Sequence, residues 1–456
     1  MDKISVIGLG KLGCSMAVAF ASRGFSTIGL DINKKSVDKI NDGISPVEEK
    51  GVQDLLKKNL SRISATTSYK YAINNTDTSF VVVPTPSDKK GAFSLNYAKN
   101  AFEQIAKCLK NKKKYHLIVL SSTVLPGSLR YSLIPILEKY SNKKCGKDFG
   151  VSYNPEFIAL GSVLRDFLNP DFILIGEYDQ KSGKKLKKIL MKTAMNKPIA
   201  TNMSIENSEL AKISVNSFVT MKISFANMLA EYCGKIPNGN VDVVSNAIGL
   251  DTRIGNKYLK GGLAFGGPCF PRDNVALSYL GRKLNVDTRL IDANHEYNEN
   301  FLNKSFKILA AKINKNKKIA ILGLSYKVDT SVLDVSPGFI LAQMFTKNGY
   351  NVLCHENNID EKNQFIKNNK LKIYRDLKEI LKLADVIIVT KNEKNYQNLN
   401  FKNLKKFNNR KKVILVDYWR IYSEKKLDKN ITYKPNGKDY QNEINAKILK
   451  KFVSHI

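Results

Sequence analysis

Ile4-Ser5-Val6-Ile7-Gly8-Leu9-Gly10-Lys11-Leu12-Gly13 passes from a mostly apolar run into three glycines, and small residues Ala17, Ala19 and Ala21 follow. An apolar run stopped by glycine predicts a buried strand, and the small residues predict a helix packed closely beside it. Gly8, Gly10 and Gly13 at that junction let backbone approach a pyrophosphate at the helix N-terminus, with Leu12 in the first turn. The spacing alone is common. Asp31, about 20 residues further on at the end of a second apolar run, adds a carboxylate that accepts from an adenosine ribose and repels a 2′-phosphate. The expected cofactor is NAD rather than NADP.

Outward from this stretch, apolar runs bounded by Gly and Pro alternate with helical patterns, the sequence form of a parallel sheet with crossover helices. Strands are expected at Ile4–Gly8, Thr27–Asp31, Ser79–Val83, Leu117–Ser121, Val151–Tyr153 and Phe172–Gly176. From Ser204 to about Gly234 a long amphipathic pattern runs without Gly or Pro, and helical segments continue to about residue 310. A second strand-turn-helix series opens at Lys317–Gly323, with strands at Tyr350–Cys354, Asp385–Thr390 and Val413–Asp417. The expected fold class is α/β: two Rossmann-like doubly wound domains joined by a long central helix and a helical domain. Their expected bounds are 1–203, 204–310 and 311–456.

With 456 residues, 43% of them hydrophobic, the chain can bury more than one core. No run of roughly 20 apolar residues exists to span a bilayer, and Met1-Asp2-Lys3 leads into a strand without a signal segment. A cytoplasmic protein with no membrane partner is expected. Cys14, Cys108, Cys145, Cys233, Cys269 and Cys354 lack Cys-x-x-Cys or Cys/His spacing, which predicts reduced thiols and no metal. The formal charge of +33 raises nucleic-acid binding as a function. Yet the lysines are spread in runs such as Lys57-Lys58, Lys112-Lys113-Lys114 and Lys184-Lys185, not interleaved with aromatics in one module. They are expected to form a solvated surface that attracts anionic nucleotides, with no nucleic-acid partner.

A second constellation is Phe265-Gly266-Gly267-Pro268-Cys269-Phe270-Pro271-Arg272-Asp273. Glycine and proline around Cys269 build a rigid turn that can present its thiol, with Asp273 one helical turn beyond. On composition alone, a reactive thiol and a small buried hydrophobe are equally open readings. Other stretches occur in order with it: Val83-Pro84-Thr85-Pro86, Ser122-Thr123-Val124, Asn154-Pro155-Glu156-Phe157, Lys212 with Asn216, and Arg253-Ile254-Gly255-Asn256. Gly323-Leu324-Ser325-Tyr326-Lys327 and Asp417-Tyr418-Trp419-Arg420 complete the set. Together they resemble the UDP-glucose/GDP-mannose dehydrogenase family over nearly the whole chain.

That resemblance implies an NAD-dependent, four-electron oxidation of the C6 hydroxyl of a nucleotide sugar. The N-terminal sheet would hold NAD through Gly8, Gly10, Leu12, Gly13, Asp31, Thr85, Ser122 and Thr123. The C-terminal sheet would hold the uridine end of a UDP-sugar, and the long helix would form a homodimer, making the helical domain a dimerisation domain. Cys269 would be the nucleophile, giving a thiohemiacetal and then a thioester. Lys212 and Asn216, at i, i+4 spacing on one helix face, would meet developing negative charge. Glu156 and Asp273 are the available bases and Thr123 would orient water. Glu156 is assigned to thioester hydrolysis and Asp273 to a water-mediated proton path, with the principal base left open. Sugar-nucleotide contacts would include Glu156, Phe157, Lys212, Asn216, Lys260, Phe265, Gly266, Tyr326, Lys327 and Arg420, the last gripping the pyrophosphate with two parallel donors. Arg253 would reach into the neighbouring subunit's site. A two-electron hydroxyacid dehydrogenase would have no use for Cys269 or a second nucleotide-binding sheet. A non-catalytic binding protein that has kept the fold is the other reading; every expected catalytic residue type is present, and an activity assay is what excludes it.

The Phe-Gly-Gly-Pro-Cys form resembles the UDP-glucose and GDP-mannose branches more than the Gly-Gly-His-Cys form of the N-acetylhexosamine branch. UDP-glucose to UDP-glucuronate, for surface polysaccharide synthesis, is therefore the first expectation, with GDP-mannose or a UDP-N-acetylhexosamine as alternative. Two positions depart from the family pattern. Leu160 stands where a carboxylate is usual beside the cofactor, and Asp334 where an arginine approaches the NAD pyrophosphate. Losing a charge-assisted bond of roughly 1.5–3 kcal/mol weakens NAD by about one to two orders of magnitude. Asp334→Arg is accordingly predicted to tighten NAD in a titration at constant UDP-sugar; unchanged or weaker binding would mean a site rebuilt around the aspartate.

Overall fold

The apolar run at Ile4 forms β1 (Lys3–Ile7), and the first sheet adds β2 (Ser26–Leu30), β3 (Ile63–Thr66), β4 (Thr78–Val81), β5 (Leu117–Leu120), β6 (Gly150–Tyr153), β7 (Phe172–Glu177) and β8 (Ile199–Ser204). The computed structural model describes residues 2–359, 363–402, 408 and 412–454. Backbone proximity divides it into two units, Met1–Val215 with Tyr279–Leu284 and Asn216–Ser278 with Asn285–Ile456.

In the first unit the strand order is β3-β2-β1-β4-β5-β6-β7-β8. The chain winds outward through β2 and β3 and returns on the other side of β1, so the C-terminal ends of β1 and β4 frame a crevice. Alternate residues serve opposite cores. Ile4, Val6, Phe80 and Val119 pack on one face, and Ile7, Val81, Ile118 and Leu120 on the other. Helices must cover both faces of such a sheet, which explains strands such as Thr78–Val81 and Leu117–Leu120 that are buried at every position rather than at alternate ones.

The expectation of a fully parallel sheet needs one correction. β7 runs antiparallel to β6, pairing Ser152 with Glu177 and Tyr153 with Gly176. The link 154–171 carries only the short helix Val163–Leu168, so the chain stays at the C-terminal edge and β7 runs back from there. This keeps Asn154–Gly161 beside the ends of the nucleotide-binding strands. A second correction concerns the basic runs. Lys112 is buried, its ammonium donating to the carbonyls of Ile73 (2.5 Å) and Thr76 (2.8 Å) at the end of the helix Tyr69–Asn74. Those orphan carbonyls and the negative helix end repay the burial of a cation.

The second unit's sheet contains β9 (Lys318–Leu322), β10 (Asn351–His355), β11 (Lys372–Tyr374), β12 (Val386–Val389), β13 (Val413–Asp417) and β14 (Ile431–Pro435). Its order, β11-β10-β9-β12-β13-β14, is parallel throughout and reverses at β9 as the first does at β1. The long helix expected from Ser204 is Ile205–Cys233, followed by Phe270–Lys283 and Arg289–Ala310. Among the described residues no helix is long and apolar enough to cross a membrane.

Candidate functional site

In the first unit Gly8 has φ +95°, and a Cβ there would lie 2.3 Å from the Val82 carbonyl oxygen. A Cβ on Gly13 would lie 1.8 Å from the Gly8 carbonyl oxygen, whereas one on Gly10 would meet nothing within 4 Å. The first and third glycines are thus required by the chain itself; the second keeps open space for a ligand. Asp31, partly exposed, accepts the Leu9 N–H at 2.6 Å and the Asn33 N–H at 2.8 Å. The helix Lys11–Ser22 has no acidic residue in its first turn, leaving its positive end to a phosphate. Open Gly10, a ribose-ready carboxylate and a bare helix end fit a dinucleotide.

Neighbouring strand ends are pinned by hydroxyls. Thr85 donates to the Thr123 carbonyl at 2.7 Å. Ser122 donates to the Val83 carbonyl at 2.7 Å and accepts the Val83 N–H at 3.0 Å. Ser122, expected at the cofactor, therefore joins β4 to β5, while Thr123 beside it is partly exposed.

The loop after β6 brings Glu156 and Phe157 to Lys212. The Lys212 ammonium donates to the Glu156 backbone carbonyl and sits 4.6 Å from the Phe157 ring centre. Burial pushes the Glu156 carboxyl up to about 8, against the opposing pull of Lys212. A group poised there can exchange protons near neutral pH. Next to Leu160, Gly161 donates to both Glu49 oxygens at 3.2 and 3.1 Å, so a carboxylate from a distant loop fastens this segment. Sequence reading missed Glu49, which lies in no recognisable motif.

In the second unit Cys269 is exposed and caps the helix Phe270–Lys283, its carbonyl accepting the Asp273 N–H at 2.9 Å. The positive helix end favours an anionic sulfur. Asp273, almost wholly buried, accepts from the Asn216 amide at 2.6 Å. Burial pushes Cys14, Cys145 and Cys354 up to about 12 and raises Cys108 and Cys233.

The turn before Cys269 is clamped by neutral amides. Asn227 accepts the Gly262 N–H (2.8 Å) and donates to the Leu263 carbonyl (3.2 Å). Asn298 accepts the Phe265 N–H (2.8 Å) and donates to its carbonyl (3.0 Å). A Cβ on Gly266 would lie 2.0 Å from the Val335 carbonyl oxygen, and Val335 itself has φ +47°, a strained conformation for a β-branched residue. The Tyr326 ring lies directly against Gly267.

Arg420 departs from its expected role. Its guanidinium donates to Asp242 (2.8 Å twice), and to the carbonyls of Tyr418 (3.0 Å), Asn436 (2.8 Å) and Gly261 (2.7 Å). All five hydrogens are engaged within the protein, so Arg420 braces the Lys260–Gly266 loop instead of offering a free fork to a pyrophosphate. Lys260 and Lys327 are exposed, and Arg253 is an exposed cation paired with Asp251 at 2.6 Å.

The second sheet repeats the first turn with different chemistry. Gly323 (φ +107°) precedes Leu324, whose N–H is accepted by Glu356 at 2.9 Å, as Leu9 is by Asp31. Here the acid is buried, and Lys391 pairs with it at 2.8 Å and with Glu393 at 2.7 Å. Burial works against the Glu356 carboxylate, but Lys391 and the backbone donors hold it below its usual range. Neither residue was singled out in the sequence. Among the described residues no cluster of three or more His, Cys, Asp or Glu could hold a metal.

Two nucleotide-type sheets, one fitted to NAD, with a presented cysteine define an NAD-dependent oxidoreductase. Residues 2–194 match the NAD binding domain of the UDP-glucose/GDP-mannose dehydrogenase family, 206–300 its central domain and 320–424 its UDP binding domain. The chain belongs to that family. The GDP-mannose 6-dehydrogenase of Pseudomonas syringae pv. tomato is 35% identical over 78% of this chain and 81% of its own length. The UDP-glucose 6-dehydrogenase of Rickettsia conorii is 31% identical over 93% of this chain and 97% of its own. A solved UDP-glucose dehydrogenase from Pyrobaculum islandicum superposes with a TM-score of 0.86 at 28% identity, covering 96% of this chain and 98% of that one. Nucleotide-sugar 6-dehydrogenase activity follows from family and relatives together.

The glycine geometry separates binding from folding. Gly10→Ala is predicted to leave the thermal midpoint unchanged while weakening NAD at least about tenfold, because its Cβ enters only the ligand's space. Gly13→Ala should cost ~2 kcal/mol or more of stability through a backbone clash. Calorimetry and NAD titration read both; unaltered NAD affinity in Gly10→Ala would place the pyrophosphate elsewhere.

Proposed function

We propose that this chain oxidises the C6 hydroxyl of UDP-glucose to a carboxylate through a thiohemiacetal and a thioester on Cys269. The observation that carries this reading is the exposed Cys269 thiol at a helix N-terminus, with Asp273 buried one turn on and hydrogen-bonded to Asn216. NAD would supply the hydride acceptor for each of the two oxidation stages. Gly8, Gly10, Leu12, Gly13, Asp31, Thr85, Ser122 and Thr123 would hold it.

The chain's own residues do the rest. The Cys269 thiolate adds to the aldehyde carbon, forming a C–S bond and leaving negative charge on oxygen. Lys212 and Asn216 stabilise that oxygen. In thioester hydrolysis Glu156 takes a proton from water oriented by Thr123, the C–S bond breaks, and the thiolate is regenerated. Asp273 relays protons to solvent. Glu156, Phe157, Lys260, Phe265, Gly266, Tyr326 and Lys327 contact the UDP-sugar, with Arg420 bracing their loop.

UDP-glucose is supported by the Phe-Gly-Gly-Pro-Cys form, by the match to a UDP binding domain and by the fold likeness to a UDP-glucose dehydrogenase. GDP-mannose is the second reading, favoured by the 35% identity to a GDP-mannose enzyme. Domains at 1–203, 204–310 and 311–456 are supported by the three matched ranges. Exposed Phe218, Phe225 and Tyr232, seven residues apart on the long helix, support a helix-paired homodimer to whose neighbouring site Arg253 contributes.

NADH release from UDP-glucose, GDP-mannose and UDP-N-acetylhexosamines tests the reading. The expected result is the highest kcat/KM for UDP-glucose, two NADH per sugar acid and no free aldehyde. Preference for another sugar replaces the substrate, and one NADH with accumulating aldehyde removes the four-electron reaction.

Cys269→Ser should bind both ligands while losing about three orders of magnitude or more in overall rate, since a serine alkoxide is poorly accessible. Ser at Cys14, Cys108, Cys145, Cys233 or Cys354 should keep activity. Normal turnover by Cys269→Ser would move the nucleophile elsewhere.

A further inference from the structure

The turn that follows β9 rests on a buried cation. Lys391, two residues past the end of β12, donates to the Ser325 hydroxyl at 3.0 Å and to both Glu356 oxygens at 2.8 Å, and it pairs with Glu393 at 2.7 Å. One Glu356 oxygen also accepts the Leu324 and Ser325 N–H groups, each at 2.9 Å. The Ser325 hydroxyl accepts from Lys391 and lies 3.0 Å from both the Lys327 carbonyl and that Glu356 oxygen, so its one hydrogen serves either. Lys391 is thereby joined through a single hydroxyl to the backbone of Lys327. Gly323 makes room for the contact, since a Cβ there would lie 2.6 Å from the Lys391 Cβ.

The first sheet makes the same turn without a cation. Asp31 accepts the Leu9 N–H at 2.6 Å, and the residue after Leu9 is Gly10, whose Cβ position faces open space. The residue after Leu324 is Ser325, which is buried. A buried ion pair contributes little net stability, because desolvation offsets the attraction. Lys391 is therefore not needed to turn the chain; what it adds is a fixed course for the residues beyond Leu324. Those residues are Tyr326, partly exposed, and Lys327, exposed. We propose that Lys391, acting through Ser325 and Glu356, is a positioning residue that sets Tyr326 and Lys327 for the nucleoside diphosphate end of the substrate. Holding the backbone of a flexible lysine before the ligand arrives lowers the ordering cost of binding. The inference rests on the reading that Tyr326 and Lys327 contact the sugar nucleotide, and not on which sugar is oxidised.

The test is calorimetric titration of the full chain with UDP, with GDP and with NAD. Whichever of UDP and GDP the parent holds more tightly is the probe, so a wrong choice of nucleotide changes the probe and leaves the comparison of variants intact. Lys391→Met should weaken the probe at least about tenfold and keep NAD affinity within about twofold. Ser325→Ala, which leaves the buried ion pair whole, should weaken the probe about fivefold. The double variant should be no weaker than Lys391→Met alone, because both changes break one link. In turnover the loss should fall on KM for the sugar nucleotide, with kcat kept within about twofold. Lys327→Met is the reference for direct contact. If it weakens the probe while Lys391→Met and Ser325→Ala do not, the positioning role is overturned and the contact reading stands; if it has no effect, the contact reading falls and the proposal with it. Equal losses of probe and NAD affinity in Lys391→Met would reduce the pair to general support of the fold and overturn the proposal as well. Should Lys391→Met fail to fold, Ser325→Ala decides, and unaltered probe affinity in that variant overturns the role.

Discussion

A carboxylate at the end of the second strand of each sheet accepts the backbone N–H that follows a positive-φ glycine at the end of the first. Asp31 does this for Leu9 at 2.6 Å and Glu356 for Leu324 at 2.9 Å. The bond fixes the direction in which the chain leaves the strand, and with it the placement of the following residues at the point where strand order reverses. One device then serves two chemistries. Asp31 stays partly exposed and can meet a ribose, whereas Lys391 neutralises and closes over Glu356, so the second turn presents Tyr326 and Lys327 instead.

Around Cys269 the supports are electrically quiet. Asn227 and Asn298 satisfy buried backbone groups of the preceding loop without adding net charge beside the sulfur. Arg420, a cation that holds this loop through the Gly261 carbonyl, is matched by Asp242 at 2.8 Å. Rigidity of the turn before Cys269 comes from amides, glycine contacts and the strained Val335 backbone.

Patterns carried by neighbouring residues were legible from the chain. The glycine triplet with Asp31, the interior strands and the breaker-free long helix all emerge within a few residues of their expected positions, because apolar period and backbone freedom are local properties. The strands without a sequence expectation, β3, β8, β11 and β14, are the four sheet edges. An edge is half solvated, so its residues need not form the unbroken apolar run that marks a central strand.

Sequence by itself determined the family, the cofactor class and the residue types offered to chemistry. Only tertiary structure decided what those residues hold. It turned β7 against β6, joined Ser122 to Val83, set Arg420 on Asp242 and three carbonyls, and brought Glu49 to Gly161 beside the apolar Leu160. The physical reason is that a side chain's donors and acceptors are intrinsic, whereas their partners are chosen by chain segments far apart in sequence that meet only when the cores close.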